Sequence, residues 1–367
     1  MAPASRTSDN RPVKTLRLLV NPDELDTAES RQVIAQAAEI LRAGGLVAFP
    51  TETVYGLGAN ALDSDAVARI FEAKQRPAWD PIIVHIAGPK RENPMLDGLV
   101  TQLAPVVLGL MEEFWPGPLT LLLPRSEAIP ALVTAGRPLV GIRMPAHPVA
   151  FELIKRAGLP IAAPSANAFG RISPTTADHV LEDLSGRIDA VLDAGPTRHG
   201  VESTVLDPNQ SPMMIYRPGA ITAKQIRRVA GPVECFDDRM LPASESRDAL
   251  PSPGVGLRHY APRARVVLCE ASLEELPQQL VEAAARHLDH HLGIMLPAEL
   301  ARSESVQSLG AAVFPWGSWN EPEELARNLY AGLRALDAQN CTVILCPMPA
   351  EAGVGAAIRD RLQKSAR

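Results

Sequence analysis

Short apolar runs alternate with amphipathic segments through the first 231 residues of the chain. A run of four or five apolar or β-branched residues predicts a buried strand, whereas apolar residues three or four positions apart predict a helix. These patterns predict helices at residues 30–41, 63–71, 96–115 (with a break near Pro105), 148–157, 176–184 and 222–231. They predict strands at residues 46–49, 82–86, 119–123, 139–142, 161–163, 188–192, 203–206 and 213–216. Because strands outnumber crossover helices, we expect a twisted, mixed α/β sheet with a concave face.

The pattern changes after residue 231 and again after residue 262. Residues 232–262 contain several prolines, serines and acidic residues without periodicity, which is typical of a linker. Alternation then resumes, with strands predicted at residues 266–269, 292–296, 311–314 and 342–345 and helices at residues 272–291 and 321–337. This order favours a small Rossmann-like domain of mostly parallel strands. We therefore predict a disordered tail (1–25), a first domain (26–231), a linker (232–262) and a second domain (263–367).

Composition is typical of a soluble two-domain protein. The chain has 367 residues, of which 46% are hydrophobic and 21% charged. No apolar run reaches the ~18 residues of a membrane helix, and residues 1–12 are polar, so we expect a cytoplasmic protein without membrane contact. The four cysteines form no CxxC pair, which argues against a zinc site or a disulfide framework. A net charge of −6 argues against a generally basic nucleic-acid binder.

The sequence PTETVYGLGANA at residues 50–61 follows a predicted buried strand and has no hydrophobic period. We interpret it as a loop at a strand end, which is where ligands bind in open α/β sheets. Gly56 and Gly58 allow the backbone to turn or to approach a ligand closely, although their spacing is not a dinucleotide fingerprint. From this stretch alone, a polar turn without a ligand is an equally good interpretation.

Four cations follow predicted secondary-structure elements. Lys74 and Arg76 lie just past a helix and next to Pro77, while Arg143 and Arg217 each end a strand. Such a set suits a polyanionic ligand, since arginine forks match phosphate and carboxylate oxygens. Taken singly, each is more simply an ordinary surface cation.

Three polar side chains lie in comparable places. His85 ends a strand, and Ser165 and Asn167 follow Pro164, which can present them from a fixed backbone. A lone histidine is more often a core residue, and the serine and asparagine are also compatible with a simple polar turn. We see no serine paired with a base in a Ser-His-Asp order, so we do not interpret Ser165 or Ser203 as a nucleophile.

Together, residues 50–61, 74–77, 81–85, 164–167 and 200–205 resemble the YrdC-like family, and the whole chain resembles its two-domain threonylcarbamoyl-AMP synthases. The resemblance implies a YrdC-like twisted mixed α/β sheet with a concave active face, followed by a smaller Rossmann-like α/β domain. It implies that ATP, L-threonine and bicarbonate react to give threonylcarbamoyl-AMP and pyrophosphate. The product would pass to a tRNA threonylcarbamoyl transferase complex, which modifies the adenosine beside the anticodon.

The resemblance also assigns roles to individual residues. It implies catalytic roles for Lys74 and Arg76, and threonine binding by Thr53, His85, Arg143, Ala163 and Ser203. It implies nucleotide binding by Arg76, Asp80, Ser165, Asn167, Ser173, Arg217, His259 and Tyr260. We expect His259 and Tyr260, in the linker, to form part of a mobile cover over the pocket. Mg²⁺ is expected to arrive with ATP, because the sequence shows no dedicated metal cluster.

Two positions depart from the family pattern, and three other interpretations stay open. Asp80 stands where the family usually has asparagine, and Leu139 where it often has threonine. A carbamoyl transferase of the hydrogenase-maturation type shares the YrdC-like unit, but this chain lacks that family's cysteine-rich zinc modules and acylphosphatase-like segment. A concave basic face could instead bind RNA weakly through its phosphates. The second domain could be only an assembly surface.

Overall fold

An eleven-stranded sheet dominates the first part of the computed structural model, which describes residues 14–236 and 260–367. Its strands are β1 Leu16–Leu19, β2 Val47–Pro50, β3 Tyr55–Asn60, β4 Ile83–His85, β5 Leu119–Pro124, β6 Leu139–Arg143, β7 Ile161–Ala162, β8 Ala190–Asp193, β9 Thr204–Asp207, β10 Met213–Arg217 and β11 Val233–Cys235. Their order is β1-β8-β2-β3-β7-β4-β6-β5-β9-β10-β11. The sheet contains both parallel pairs such as β4–β6 and antiparallel pairs such as β5–β6, which confirms the predicted mixed sheet.

Eight helices cover this sheet within residues 14–236. They are α1 Ala28–Arg42, α2 Ser64–Lys74, α3 Pro94–Asp97, α4 Pro105–Phe114, α5 Ala131–Thr134, α6 Pro148–Ala157, α7 Ala177–Leu184 and α8 Ala223–Ala230. Helix α2 shows how the sequence sets their bounds. Asp63 caps it by accepting hydrogen bonds from the N–H groups of Asp65 and Ala66. It ends at Gln75, whose left-handed backbone (φ 53°) redirects the chain toward Arg76.

Strand β3 corrects the prediction of a loop at residues 50–61. Every β3 residue before Asn60 is buried, so no alternation of polar and apolar positions marks the strand. Gly58 packs so tightly that a Cβ there would lie 2.7 Å from the Phe49 ring and 2.8 Å from Ile161. The glycines that favoured a loop in the sequence are therefore positions of close packing inside a sheet.

Both edges of the sheet extend beyond the predicted first domain. The assignment of residues 1–25 to a disordered tail is wrong for Leu16–Leu19, because β1 pairs with β8 in parallel register. At the other edge, β11 pairs with β10 beyond the predicted boundary at residue 231. These edge strands are mostly exposed and so lack the apolar run that identifies a buried strand.

A second sheet contains four parallel strands, β12 Arg265–Cys269, β13 Leu292–Pro297, β14 Ala312–Gly317 and β15 Val343–Pro347, in the order β12-β15-β13-β14. Its helices are α9 Leu276–Ala285, α10 Glu304–Gln307, α11 Pro322–Ala338 and α12 Gly355–Ser365. This arrangement confirms the Rossmann-like prediction, although α10 and α12 were not predicted. Within the ranges that the structure describes, no helix has both the length and the apolarity needed to cross a membrane.

We call residues 14–236 the first domain and residues 263–367 the second domain. The two share one hydrophobic cluster, in which Val54, Ile172 and Val201 of the first domain pack with Leu329 and Tyr330 of α11. Tyr260 in the linker belongs to the same cluster. The described end of the linker is also fixed to the first domain, because the Ala261 N–H donates to Gly170 O at 2.9 Å.

Candidate active site

A pocket lies on the first domain where several strands end, with about 560 Å³ of empty space that is partly open to solvent. Sheet topology explains how distant residues meet there. Strands β4 and β6 run in parallel and bring His85 directly beside Arg143. The predicted site residues that line the pocket are Thr53, Arg76, His85, Arg143, Ala163, Ser165, Ser203, Arg217 and Tyr260.

Arg143 is the centre of one half of the pocket. Its guanidinium pairs with the Glu52 carboxylate at 2.7 Å and donates to the Thr53 hydroxyl at 3.0 Å. Thr53 in turn lies 2.8 Å from the hydroxyl of Thr51. Burial raises the pKa of Glu52, but Arg143 more than offsets this effect and the net pKa lies below its ordinary value. The arginine is thus held rigidly and can receive a carboxylate from the pocket side.

His85 supplies an uncharged imidazole to the same half. Burial, and then the nearby charge of Arg143, lower its pKa to about 3. The ring packs edge-on against Phe49, with 6.3 Å between the ring centroids. Among the described residues, none forms a hydrogen bond with its buried Nδ1 atom. A neutral imidazole suits a hydroxyl group of a ligand better than a carboxylate.

Arg76 and Arg217 form the second half of the pocket. Arg76 donates to Pro81 O at 2.8 Å and pairs with the Asp80 carboxylate at 2.9 Å. Arg217 ends β10, which runs antiparallel to β9, and it therefore reaches Ser203 just before β9. It donates to the carbonyl oxygen of Ser203 at 3.0 Å and to its hydroxyl at 3.1 Å. Two buried guanidinium groups thus place positive charge in this half of the pocket.

Lys74, Asn167 and Ser173 lie behind the pocket wall and are not among the lining residues. Lys74 Nζ donates to Ser165 O at 2.5 Å and also to Asn167 O. Burial, and then the charge of Arg76, lower the pKa of Lys74 well below its ordinary value. The Asn167 amide donates to Arg171 O at 2.9 Å. These side chains hold the loop that presents Ser165, and Ser173 donates to Glu202 at 2.6 Å.

The two departures from the family pattern lie outside the pocket lining. The Asp80 carboxylate is occupied by Arg76, and burial raises its pKa while Arg76 opposes that rise. Leu139 packs beside Ile83, Leu122 and Val205, so its position offers no side chain to the pocket. His259, which was predicted to contact the nucleotide, lies outside the described residues.

Glu202 lines the pocket, although the sequence analysis did not single it out. It is buried and accepts hydrogen bonds from Ser173, from the Tyr330 hydroxyl at 2.8 Å and from Arg361 Nε at 2.8 Å. A glutamate between Val201 and Ser203, just before a predicted strand, was the available signal, since a buried carboxylate requires partners. Tyr330 and Arg361 lie 128 and 159 residues away from Glu202, so local patterns cannot identify them as its partners.

Both parts of the chain match models of known protein families. The Sua5/YciO/YrdC family model, described as "Telomere recombination", matches residues 39–219. The model described as "Threonylcarbamoyl-AMP synthase, C-terminal domain" matches residues 221–367. The fold and pocket therefore define a YrdC-like protein with an appended second domain.

Similar proteins of comparable length narrow this class. A Bacillus subtilis protein named threonylcarbamoyl-AMP synthase is 44% identical over 356 residues, which are 96% of this chain and 98% of that relative. The crystal structure of Pyrococcus abyssi Sua5 complexed with L-threonine is 40% identical, with a TM-score of 0.85 over 96% of this chain and 98% of that one. The chain belongs to the threonylcarbamoyl-AMP synthase family, a family of ATP-dependent enzymes.

A shorter relative matches only part of the chain. The putative threonylcarbamoyl-AMP synthase of Mycobacterium tuberculosis strain H37Rv is 34% identical over 209 residues. The match covers 57% of this chain but 94% of the relative, so that protein is about as long as the first domain described here.

Proposed function

We propose that this pocket makes threonylcarbamoyl-AMP from L-threonine, bicarbonate and ATP. The threonine amine captures bicarbonate with loss of water to give a carbamate. A carbamate oxygen then forms a bond to the α-phosphorus of ATP, and the bond to the β-phosphate oxygen breaks to release pyrophosphate. The observation that carries this assignment is a single pocket with two different halves. One has Arg143 beside a neutral His85, and the other has Arg76 and Arg217.

The first half fits the amino acid. Arg143 receives the threonine carboxylate with a geometry that its Glu52 partner fixes. The neutral His85 and the Thr53 hydroxyl provide partners for the threonine hydroxyl. Ala163 and Ser203 complete this side of the pocket. Such positioning aligns the carbamate with its target phosphate and lowers the entropic part of the barrier.

The second half fits the nucleotide. Arg76 and Arg217 stabilise the negative charge that develops on the phosphates as pyrophosphate departs. Ser165 lies on the same wall and supplies a hydroxyl donor. Tyr260 closes the pocket from the linker side and helps exclude water from the carbamate and the labile product. The chemistry requires charge stabilisation and alignment more than a protein nucleophile.

Mg²⁺ enters this proposal as the ion bound to the ATP phosphates. Within residues 14–236 and 260–367, no three carboxylate, histidine or cysteine side chains come together as a metal site. Two carboxylates beside Arg76 and Arg217 already have partners, Asp80 with Arg76 and Glu202 with Arg361. We therefore assign no step to a metal held by the protein.

The product determines the partner. Threonylcarbamoyl-AMP is a mixed anhydride that water hydrolyses, so a second enzyme must take it up promptly. We infer that this consumer is the tRNA threonylcarbamoyl transferase complex of the cytoplasm, which attacks the activated carbonyl with the adenosine amine and releases AMP.

Pyrophosphate release is the test of the proposal. The purified chain with ATP and Mg²⁺ should release pyrophosphate only when both threonine and bicarbonate are present. A carbamoyl transferase would instead require carbamoyl phosphate, and an RNA-binding module would release no pyrophosphate under either condition. Release that does not depend on threonine would refute the assignment.

A further inference from the structure

The second domain reaches the pocket through Glu202. This carboxylate lines the pocket and is only 6% exposed. Among the described residues, three side chains donate hydrogen bonds to it, and two of these belong to the second domain, the Tyr330 hydroxyl on α11 at 2.8 Å and Arg361 Nε on α12 at 2.8 Å. The third donor is Ser173 at 2.6 Å. The wall of a first-domain pocket therefore depends on side chains from another domain.

The same two residues also hold Tyr260. Its ring stacks on the Tyr330 ring with 5.7 Å between centroids. The Arg361 guanidinium carbon lies 5.2 Å from the centre of the Tyr260 ring, within the range of a cation–π interaction. Tyr260 is almost fully buried and lines the pocket. Arg361 and Tyr330 thus fix two pocket-lining groups at once.

The loop before Glu202 is seated directly on α11. Gly200 has a positive φ of 70°, and a Cβ at this position would lie 2.4 Å from Ala326 O and 2.5 Å from Arg327 Cα. Arg327 Nε donates to Arg198 O at 3.1 Å. Only glycine permits this approach of backbone to backbone. The loop that carries Glu202 and Ser203 into the pocket therefore takes its position from the second domain.

The ionisation of Glu202 also depends on the second domain. Burial alone would raise the pKa of Glu202, but Arg361 and then Arg217 lower it to about 2. Tyr330 and Tyr260 also face this carboxylate. Ser203, the next residue, accepts hydrogen bonds from Arg217. An ionised Glu202 thus lies between a second-domain arginine and the arginine of the nucleotide half.

We propose that Arg361 and Tyr330 of the second domain are positioning residues for the nucleotide half of the pocket, acting through Glu202 and Tyr260. This inference rests on the proposed function. It gives the second domain a specific role in the reaction without a catalytic group of its own. The threonine half is built mainly from Arg143, Glu52 and His85, and of its residues only Ser203 adjoins Glu202, so the larger effect should fall on ATP.

Steady-state kinetics of full-length variants test the inference. Arg361→Gln, which removes a charge, should raise the KM for ATP roughly tenfold. Tyr330→Phe, which removes only a hydroxyl, should raise it less. The KM for threonine should change little in either variant. Arg359→Gln is the matched control. It lies on the same helix, but its guanidinium binds Pro349 O and Glu270 within the second domain. We expect wild-type kinetics from this variant.

The pH profile separates positioning from general weakening of the structure. Without Arg361, Glu202 loses its strongest counter-charge and its pKa rises. The acid limb of kcat/KM for ATP should therefore move to higher pH in Arg361→Gln. It should return toward the wild-type position in Arg361→Gln/Glu202→Gln, which has no carboxylate to protonate.

The possible failures can be told apart. Wild-type protein that releases no threonine-dependent pyrophosphate refutes the proposed function. Active wild type with an unchanged KM for ATP in both single variants refutes the positioning role, as does an equal rise in the KM for threonine. If circular dichroism shows that Arg361→Gln is unfolded, Tyr330→Phe decides, since it removes one oxygen atom from a folded core.

Discussion

Lys74 and Arg76 are only two residues apart, yet their side chains have different surroundings. Arg76 lines the pocket, whereas Lys74 lies behind the wall and donates to the carbonyl oxygens of Ser165 and Asn167. The sequence could identify both as cations beside a proline, but it could not show which one faces the ligand. Backbone conformation decides this, because the left-handed Gln75 between the two residues sends their side chains in different directions.

Alanine variants of these two residues should both lose activity. We expect Arg76→Ala to lower kcat/KM for threonine-dependent pyrophosphate release. The loss should correspond to about 2–4 kcal/mol of transition-state stabilisation, because the variant removes a charge-assisted contact in a shielded site. Lys74→Ala should cause a loss of similar size by releasing the loop that presents Ser165. Circular dichroism should show folded proteins in both cases. Near-wild-type turnover in both variants would contradict the site assignment.

Substrate choice depends on the neutral His85. Valine has nearly the shape of threonine but lacks its hydroxyl, so it would leave a buried polar atom of the pocket without a partner. We therefore expect threonine to be used at least about tenfold better than valine, with serine as the nearest competitor. Competition assays with labelled amino acids measure these ratios. Equal use of valine and threonine would contradict the proposed pocket.

A matched variant tests the origin of this selectivity. His85→Ala should lose the preference for threonine over valine while ATP binding persists, because the histidine belongs to the amino-acid half.

Among secondary-structure elements, those with a buried apolar stripe were the ones that the sequence could predict. Strands β2, β5 and β13 are almost entirely apolar, and their predicted bounds differ from the observed ones by one residue at each end or less. Helix α12 escaped prediction since Arg361 and Lys364 are buried in it alongside apolar residues. Buried cations obscure the helical period, because periodicity assumes that charged residues face solvent.

The described end of the linker also leads to a testable prediction. Tyr260 is buried in the pocket wall and the following Ala261 is bonded to Gly170, so this end of the linker is held over the pocket. A His259→Ala/Tyr260→Ala variant should lose at least about tenfold in turnover and bind ATP more weakly, because water gains access to the intermediates. Turnover assays and calorimetric titration with ATP measure the two effects. Unchanged values for both would show that the linker is only a tether.

At the scale of the whole molecule, the two domains form one hydrophobic cluster around Tyr330 and Leu329. A chain truncated after Phe236 retains β11 but loses this cluster and the partners of Glu202. We expect the truncated chain to retain its sheet by circular dichroism yet to release pyrophosphate far more slowly than the intact protein. Turnover equal to that of the intact protein would show that the second domain has no part in the reaction.

The overall architecture could be predicted from the sequence, whereas the cooperation of the two domains could not. Alternating strands and helices indicated two α/β units, and short motifs indicated most of the pocket. Glu202 and Arg361 are separated by 159 residues and meet only in the folded molecule. Neither residue stands out in its local sequence, because the burial of each charge is explained only by the ion pair that it forms with the other.

The contact between Glu202 and Arg361 also restricts how genes of this family can diverge. A lineage that loses the second domain would leave a buried carboxylate without its cation, at a cost of several kcal/mol. Relatives of first-domain length, such as the Mycobacterium tuberculosis protein, should therefore carry an uncharged residue at the position of Glu202. Alignment of short and long relatives tests this expectation, and short proteins that retain the glutamate without a new cation nearby would refute it. Replacement of this single glutamate would then be a permissive mutation, one that must precede or accompany deletion of the second domain.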